Sequence, residues 1–202
     1  MSAIILAGGL SSRMEGANKP LMEFGDTTMI GRIVDNLKSI FSEVLIVTKN
    51  QELYQDYDAE IVLDKFEHQG PLSGIHAGLE ASRTENNFIV SCDMPFLNLD
   101  LIRYMLNQSV EDILVPRVEG HLEPLHAVYS KQCLPKIEKA VRREKFKIIE
   151  FWEWDDVDVR YIEQTEVERF DPNLYTFFNI NTRKDYRQAL EILTKMNKEE
   201  LD

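Results

Sequence analysis

Four short apolar runs limit what this chain can become. They read AIILA from Ala3 to Ala7, EVLIVT over 43–48, AEIVL over 59–63 and NNFIVSC over 86–92. Stretches with helical spacing lie between them. After the first run, TMIGRIVDNLKSIF puts Ile30, Ile33, Val34, Leu37, Ile40 and Phe41 on one helical face. Near-continuous apolar strands separated by helices predict a mostly parallel, doubly wound sheet covered by helices on both faces. With 202 residues and 44% hydrophobic content the chain can bury such a core, and one domain over 1–202 is expected.

The remaining segments extend this reading. QELYQDY reads as a short helix, LSGIHAGLEAS and LDLIRYML as helices, and EDILVPRV and LHAVYS as strands joined by a loop at Glu119 to Pro124. KQCLPKIEKAVRRE is helical. VDVRYIEQTEVERFDPNLY is softer, polar and acidic, with DPN as a turn. FFNIN is expected as a further strand, and TRKDYRQALEILTKM as a closing helix capped by Thr182. Phe151 to Trp154, FWEW, reads as core.

Composition excludes several classes. The formal net charge is −12, so there is no basic face for nucleic acid, and an anionic ligand must be drawn in by local groups and a metal ion. Ala3–Ala7 is too short to span a membrane and follows no basic region, so neither a span nor a secretory leader is expected. Cys92 and Cys133 lack metal-ligand spacing. They read as buried free thiols, which fits a reducing cytoplasm.

In open α/β sheets, ligands sit beyond the carboxyl ends of the strands. GGLSSRMEGANK follows the first run, DKFEHQGPLSG the third and DMPF the fourth, while NINT precedes the last helix. Gly8 and Gly9 allow close backbone approach, and exposed N–H groups in such a turn bind anions. Arg13 and Lys19 are the only basic residues in the first thirty-one, and both stand in this polar loop. A phosphate site is expected there, with an ordinary glycine-rich turn as the plain alternative. No G-x-x-x-x-G-K-[ST] and no G-x-S-x-G occurs, which excludes a P-loop and a nucleophile elbow. Asp93 ends the fourth run and can either hold a divalent cation or cap the turn. Asp64 after the third run carries the same two readings. Gly70 and Gly74 bracket PLS before a helix whose N-terminus either faces an anion or is capped by Ser73. The four histidines form no site by their spacing.

Taken together, LAGGLSSRM with Lys19, QGPLSGIHAGL, CDMPF, EPLHAVY and FFNINT resemble the molybdenum cofactor guanylyltransferases, from about residue 3 to 193. The resemblance implies a Rossmann-like nucleotidyltransferase fold and transfer of GMP from GTP to molybdenum-bearing molybdopterin, with release of pyrophosphate. It implies Lys19, Asp93 and Arg13 as catalytic residues and Mg²⁺ on Asp93. It implies that Leu6, Ala7, Gly8, Gly9 and Asp64 meet the nucleotide, Lys19 its phosphates, and Asn179 and Asn181 the pterin side or the metal region. The partners it implies are GTP and a molybdopterin-type cofactor, and it admits molybdenum insertion proteins or molybdoenzyme chaperones; nucleic acid and membrane are not expected. Two positions depart from the family pattern: Glu15, where Gly is usual, and Asn18, where Asp is common. A nucleotidyltransferase for a sugar phosphate or other small phosphate shares the first motif, and a non-catalytic nucleotide-binding relative would share the fold.

Overall fold

The computed structural model describes residues 1–8, 13–14, 17–64, 70–145, 147–152 and 156–199. The first half runs through β1 (Ser2–Leu6), β2 (Arg13–Met14), β3 (Ala17–Asn18), β4 (Glu23–Phe24), β5 (Thr27–Thr28), α1 (Met29–Lys38), β6 (Val44–Thr48), β7 (Glu60–Leu63), α2 (Pro71–Ala81), β8 (Asn86–Ser91) and α3 (Leu99–Leu106). The second half adds β9 (Ile113–Val118), β10 (His121–Leu122), β11 (His126–Ser130), α4 (Cys133–Arg142), α5 (Ile148–Trp152), β12 (Val159–Glu163), α6 (Gln164–Val167) and α7 (Arg183–Glu199).

Eight strands form one sheet in the order β10–β9–β11–β8–β1–β6–β7, with β12 on the outer flank of β9. The apolar runs lie at its centre: every residue of β1 and β6 is buried. The pairs β1–β6, β1–β8, β6–β7 and β12–β9 are parallel, whereas β11 runs antiparallel to both β8 and β9. From β1 the chain steps outward through β6 to β7, then crosses back to β8 on the other flank of β1. The order therefore reverses between β1 and β8, and a crevice opens at their carboxyl ends.

Two buried clusters occupy the two faces. Ile5, Ile33, Leu37, Phe88, Leu101 and Val128 belong to one, under α1 and α3. Ile4, Leu45, Ile75, Ile89, Tyr129 and Ile137 belong to the other, under α2 and α4. Helix α2 approaches β1 closely because it carries glycines there. A Cβ on Gly78 would come within 2.5 Å of Ile4 Cγ2, and one on Gly74 within 3.2 Å of Leu6 Cδ2. Gly74 thus belongs to helix packing, inside a helix that starts at Pro71. Among the described residues no helix is long and apolar enough to cross a membrane.

The structure corrects the sequence reading at three places. The soft acidic stretch contains an edge strand, β12, followed by α6 with a capping box between Glu163 and Glu166. The loop at Glu119 to Pro124 contains β10, which pairs with β9 as a hairpin. FFNIN makes no strand: a 3-10 turn at Tyr175–Phe177 leads into an extended, unpaired segment. Both flanks of β8 are already taken by β1 and β11, so this segment crosses the strand ends instead. The DPN turn is present: the Asp171 carbonyl accepts from the Leu174 N–H and its carboxylate from the Thr176 N–H.

Candidate active site

Beyond the ends of β1 and β8, three distant segments meet over a third apolar cluster. Phe24 and Met29 come from the first segment, Phe96 from the second, and Ile180, Ala189, Ile192 and Leu193 from the third. The Cys92 N–H donates to the Leu6 carbonyl at 3.1 Å, and the Ile180 N–H to the Asp93 carbonyl at 3.0 Å. These backbone bonds fix the residue after β8 between β1 and the carboxy-terminal segment.

On this platform Lys19 Nζ donates to Asp93 Oδ2 at 3.0 Å and to Asn181 Oδ1 at 3.1 Å. A polar loop suggested a solvated lysine, yet the Lys19 side chain is only 2% exposed and that of Asp93 14%. The 3-10 turn Lys19–Leu21, entered through Pro20, draws the lysine inward. Asn181 is fixed in turn, since Asp185 accepts from its N–H at 3.0 Å and from that of Thr182 at 2.8 Å. Thr182 caps α7 as expected, its hydroxyl accepting from the Asp185 N–H.

The other expected site residues divide. Leu6 and Ala7 are buried at the end of β1 and Gly8 emerges from it exposed; the Leu6 carbonyl bonds Cys92, the residue before Asp93. Asp64 follows β7, two strands from β1, or roughly 10 Å at ordinary strand spacing. Its carboxylate accepts from the Ser73 hydroxyl in the first turn of α2, so it ties β7 to that helix. Among the described residues no side-chain cap holds α2; Ser73 serves Asp64 instead. Asn179 does not join the lysine: its amide donates to the Phe177 carbonyl. Gly9, Glu15 and His68 lie outside the described residues. Arg13 is described only as a backbone position of β2, paired with Asn18.

Burial pushes the Cys92 thiol up to about 12, and the adjacent Asp93 carboxylate adds to the push, so it stays neutral beside the site. Burial lowers the His126 imidazole to about 3. It sits edge-on between Phe88 and Phe177, a neutral packing group. Sequence reasoning missed Asp185. Its place in the first turn of α7, three residues after the cap Thr182, was the available signal.

Could a divalent cation be held here? Among the described residues no three His, Cys, Asp or Glu side chains gather around one point. Asp93 Oδ1, however, is buried without a hydrogen-bond partner. A site with one carboxylate suits a cation that takes its other ligands from phosphate oxygens and water. The donor set fits, with Asp93 as the protein ligand.

Residues 3–156 match the family described as MobA-like NTP transferase domain. The chain belongs to that family. A protein of Methanosarcina mazei named as a probable molybdenum cofactor guanylyltransferase is 39% identical over 94% of this chain and 89% of its own length. The molybdenum cofactor guanylyltransferase of Desulfosudis oleivorans is 36% identical over 94% of each chain. The crystal structure of molybdopterin-guanine dinucleotide biosynthesis protein A from Archaeoglobus fulgidus superposes with a TM-score of 0.83 at 26% identity, covering 96% of this chain and all of that one. As a family member the chain is an enzyme, a nucleotidyltransferase. The family match stops at residue 156, whereas Asn181 and Asp185 lie beyond it.

Proposed function

We propose that the chain, as one domain, transfers GMP from GTP to molybdenum-bearing molybdopterin in a reducing cytoplasm. A terminal phosphate oxygen of the acceptor attacks the α-phosphorus of GTP, the bond from that phosphorus to the β-phosphate bridging oxygen breaks, and pyrophosphate leaves. The attacking phosphate is largely dianionic near neutral pH, since its second pKa is about 6, so the step needs no strong general base. His126, buried and neutral, supplies none.

What the step requires is charge neutralisation as two anions approach. Lys19 provides the cation, held at the crevice by Asp93 and Asn181. Ala7 and Gly8 offer close backbone approach at the end of β1, and Arg13 stands in the same loop. A Mg²⁺ ion on Asp93 would polarise phosphate oxygens. Asp64 and the first turn of α2 bound the nucleotide on the β7 side; Asn179 and Asn181 bound the acceptor on the other.

The convergence of Lys19, Asp93 and Asn181 at the switch between β1 and β8 carries this reading. GMP transfer to molybdopterin, followed by pyrophosphate release with GTP, CTP, ATP and UTP in turn, tests it. GTP should be strongly preferred, because a pocket built for guanine leaves polar groups unpaired around cytosine. Comparable incorporation of CMP would sink guanylyl transfer, and turnover only with a sugar phosphate would replace the acceptor.

A further inference from the structure

The β9–β10 hairpin reaches past the end of β8 on its β11 flank. Leu114 and Ile113 pair with both β11 and β12, and Arg117 with both β10 and β12, so β10 and β11 share one flank of β9. The Ser91 N–H donates to the Leu125 carbonyl at 3.0 Å, which marks the last rung between β8 and β11. Asp93 lies two residues beyond that rung, whereas a turn separates Glu123 from β11: the His126 N–H donates to the Glu123 carbonyl at 3.0 Å, and His126 pairs with Val90, three residues before Asp93. The Glu123 N–H donates to the Pro116 carbonyl at 3.0 Å, continuing the hairpin register.

Alternation along the hairpin decides which way Glu123 faces. Leu122 packs into the cluster under α2 and α4, and so does Val115. Glu123, like Leu114, Val118 and Val128, therefore falls on the opposite face. Phe177 covers that face, its ring 5.1 Å from that of His126, and residues 177–180 run from there to the Asp93 carbonyl. Asn179 lies on this run. Glu123 is half-buried, and among the described residues its carboxylate makes no hydrogen bond or ion pair. Burial alone pushes it up to about 7. Its neighbours do nothing to offset the cost of desolvating a carboxylate, and such groups gather at binding sites.

We propose that Glu123 is a specificity residue for the acceptor, its carboxylate accepting the paired ring and exocyclic N–H groups of a 2-amino-4-oxo heterocycle. This rests on the guanylyltransferase reading, in which the acceptor is a pterin. Guanine presents the same edge, but the hairpin stands across β8 from β1, β6 and β7, where the nucleotide loops are. The pterin ring is thereby read by charge on one side of Asp93 and the nucleotide on the other.

The test uses the full chain and two small probes, pterin-6-carboxylate and lumazine-6-carboxylate, which differ in an amino group against an oxo group beside the ring N–H. Binding is followed by ligand fluorescence, with GTP affinity measured separately on the same preparations. Wild type should bind the pterin more tightly, and Glu123→Gln should lose roughly ten-fold or more of that preference, as for a charge-assisted hydrogen bond. GTP affinity should not change, and melting temperature should not fall, since glutamine removes the cost of burying the charge. A Glu123→Gln protein that keeps the pterin preference overturns the assignment, as does a wild type that never shows one. Neither result touches guanylyl transfer, which the separate GMP-transfer assay decides. A variant that loses GTP affinity instead would move Glu123 to the nucleotide side and also overturn the proposal.

Discussion

Two lysine–aspartate pairs stand at opposite ends of the sheet. Lys19–Asp93 lies beyond the carboxyl ends of β1 and β8, and Lys136–Asp112 lies where β9 begins and β11 ends. Each aspartate keeps one buried oxygen without a hydrogen-bond partner, so an orphan oxygen alone does not make a site. The difference is which partner is sealed. In the first pair the lysine side chain is 2% exposed and the aspartate side chain 14%; in the second the lysine side chain is 20% exposed and the aspartate side chain 4%. Asp112 also accepts from the Asp158 N–H at 2.7 Å, which ties the lead into β12 to β9. Among the described residues the Asp93 side chain has no such backbone duty. A carboxylate turned inward onto backbone is a tether; one turned toward a crevice over a sealed lysine is available to an incoming ligand.

This contrast can be broken most directly by Asp93→Asn. Removing the anionic oxygen should cut GMP transfer about a hundred-fold or more, since a hard cation contributes several kcal/mol of charge stabilisation. The melting temperature should fall too, because asparagine still accepts from Lys19 but leaves its sealed ammonium without a counter-charge, so turnover is read on folded protein. An active Asp93→Asn enzyme, read by pyrophosphate release, would put the metal elsewhere. The reciprocal variant, Asp112→Asn, should leave kcat and KM unchanged while costing about 1–3 kcal/mol of stability. At roughly 2–4 °C per kcal/mol for a chain of this size, a thermal melt resolves that loss. Loss of activity in a folded Asp112→Asn protein would erase the distinction between the pairs.

A smaller effect concerns His126, beside the crevice but outside the chemistry. Its folded pKa, about 3, lies below the ordinary 6.5, so the unfolded chain binds more protons between those values. Stability therefore falls as pH drops through that window, by at most about 1.4 kcal/mol per pH unit from this residue. Replacing the ring with an apolar one, His126→Phe, should flatten the acid limb of melting temperature against pH. An unchanged slope would mean that the imidazole is not buried as neutral.

Much of the fold was legible because it was written in apolar runs. The centre of the sheet, α1 to α4 and the cap at Thr182 stand where periodicity put them. What escaped was set by partners far along the chain. β12 carries Arg160, Tyr161 and Glu163 exposed or half-exposed, so its composition reads as loop until β9 pairs with it. FFNIN has strand composition, yet no open flank of β8 remained. At the site, Lys19 and Asp93 were legible from residue type and place, and the structure adds their contact. That Asp64 stands apart at α2, and that the Glu123 carboxylate has no partner among the described residues, depend on packing that a local pattern does not encode.

The bond from Lys19 to Asn181 spans 162 residues. On the ribosome, β1 and the lysine emerge well before Asn181, which appears only after the described strands of the sheet have been made. Through most of synthesis the lysine thus has no second partner, and the Asp93 carbonyl still awaits the N–H of Ile180. The sheet can be complete while the site is not.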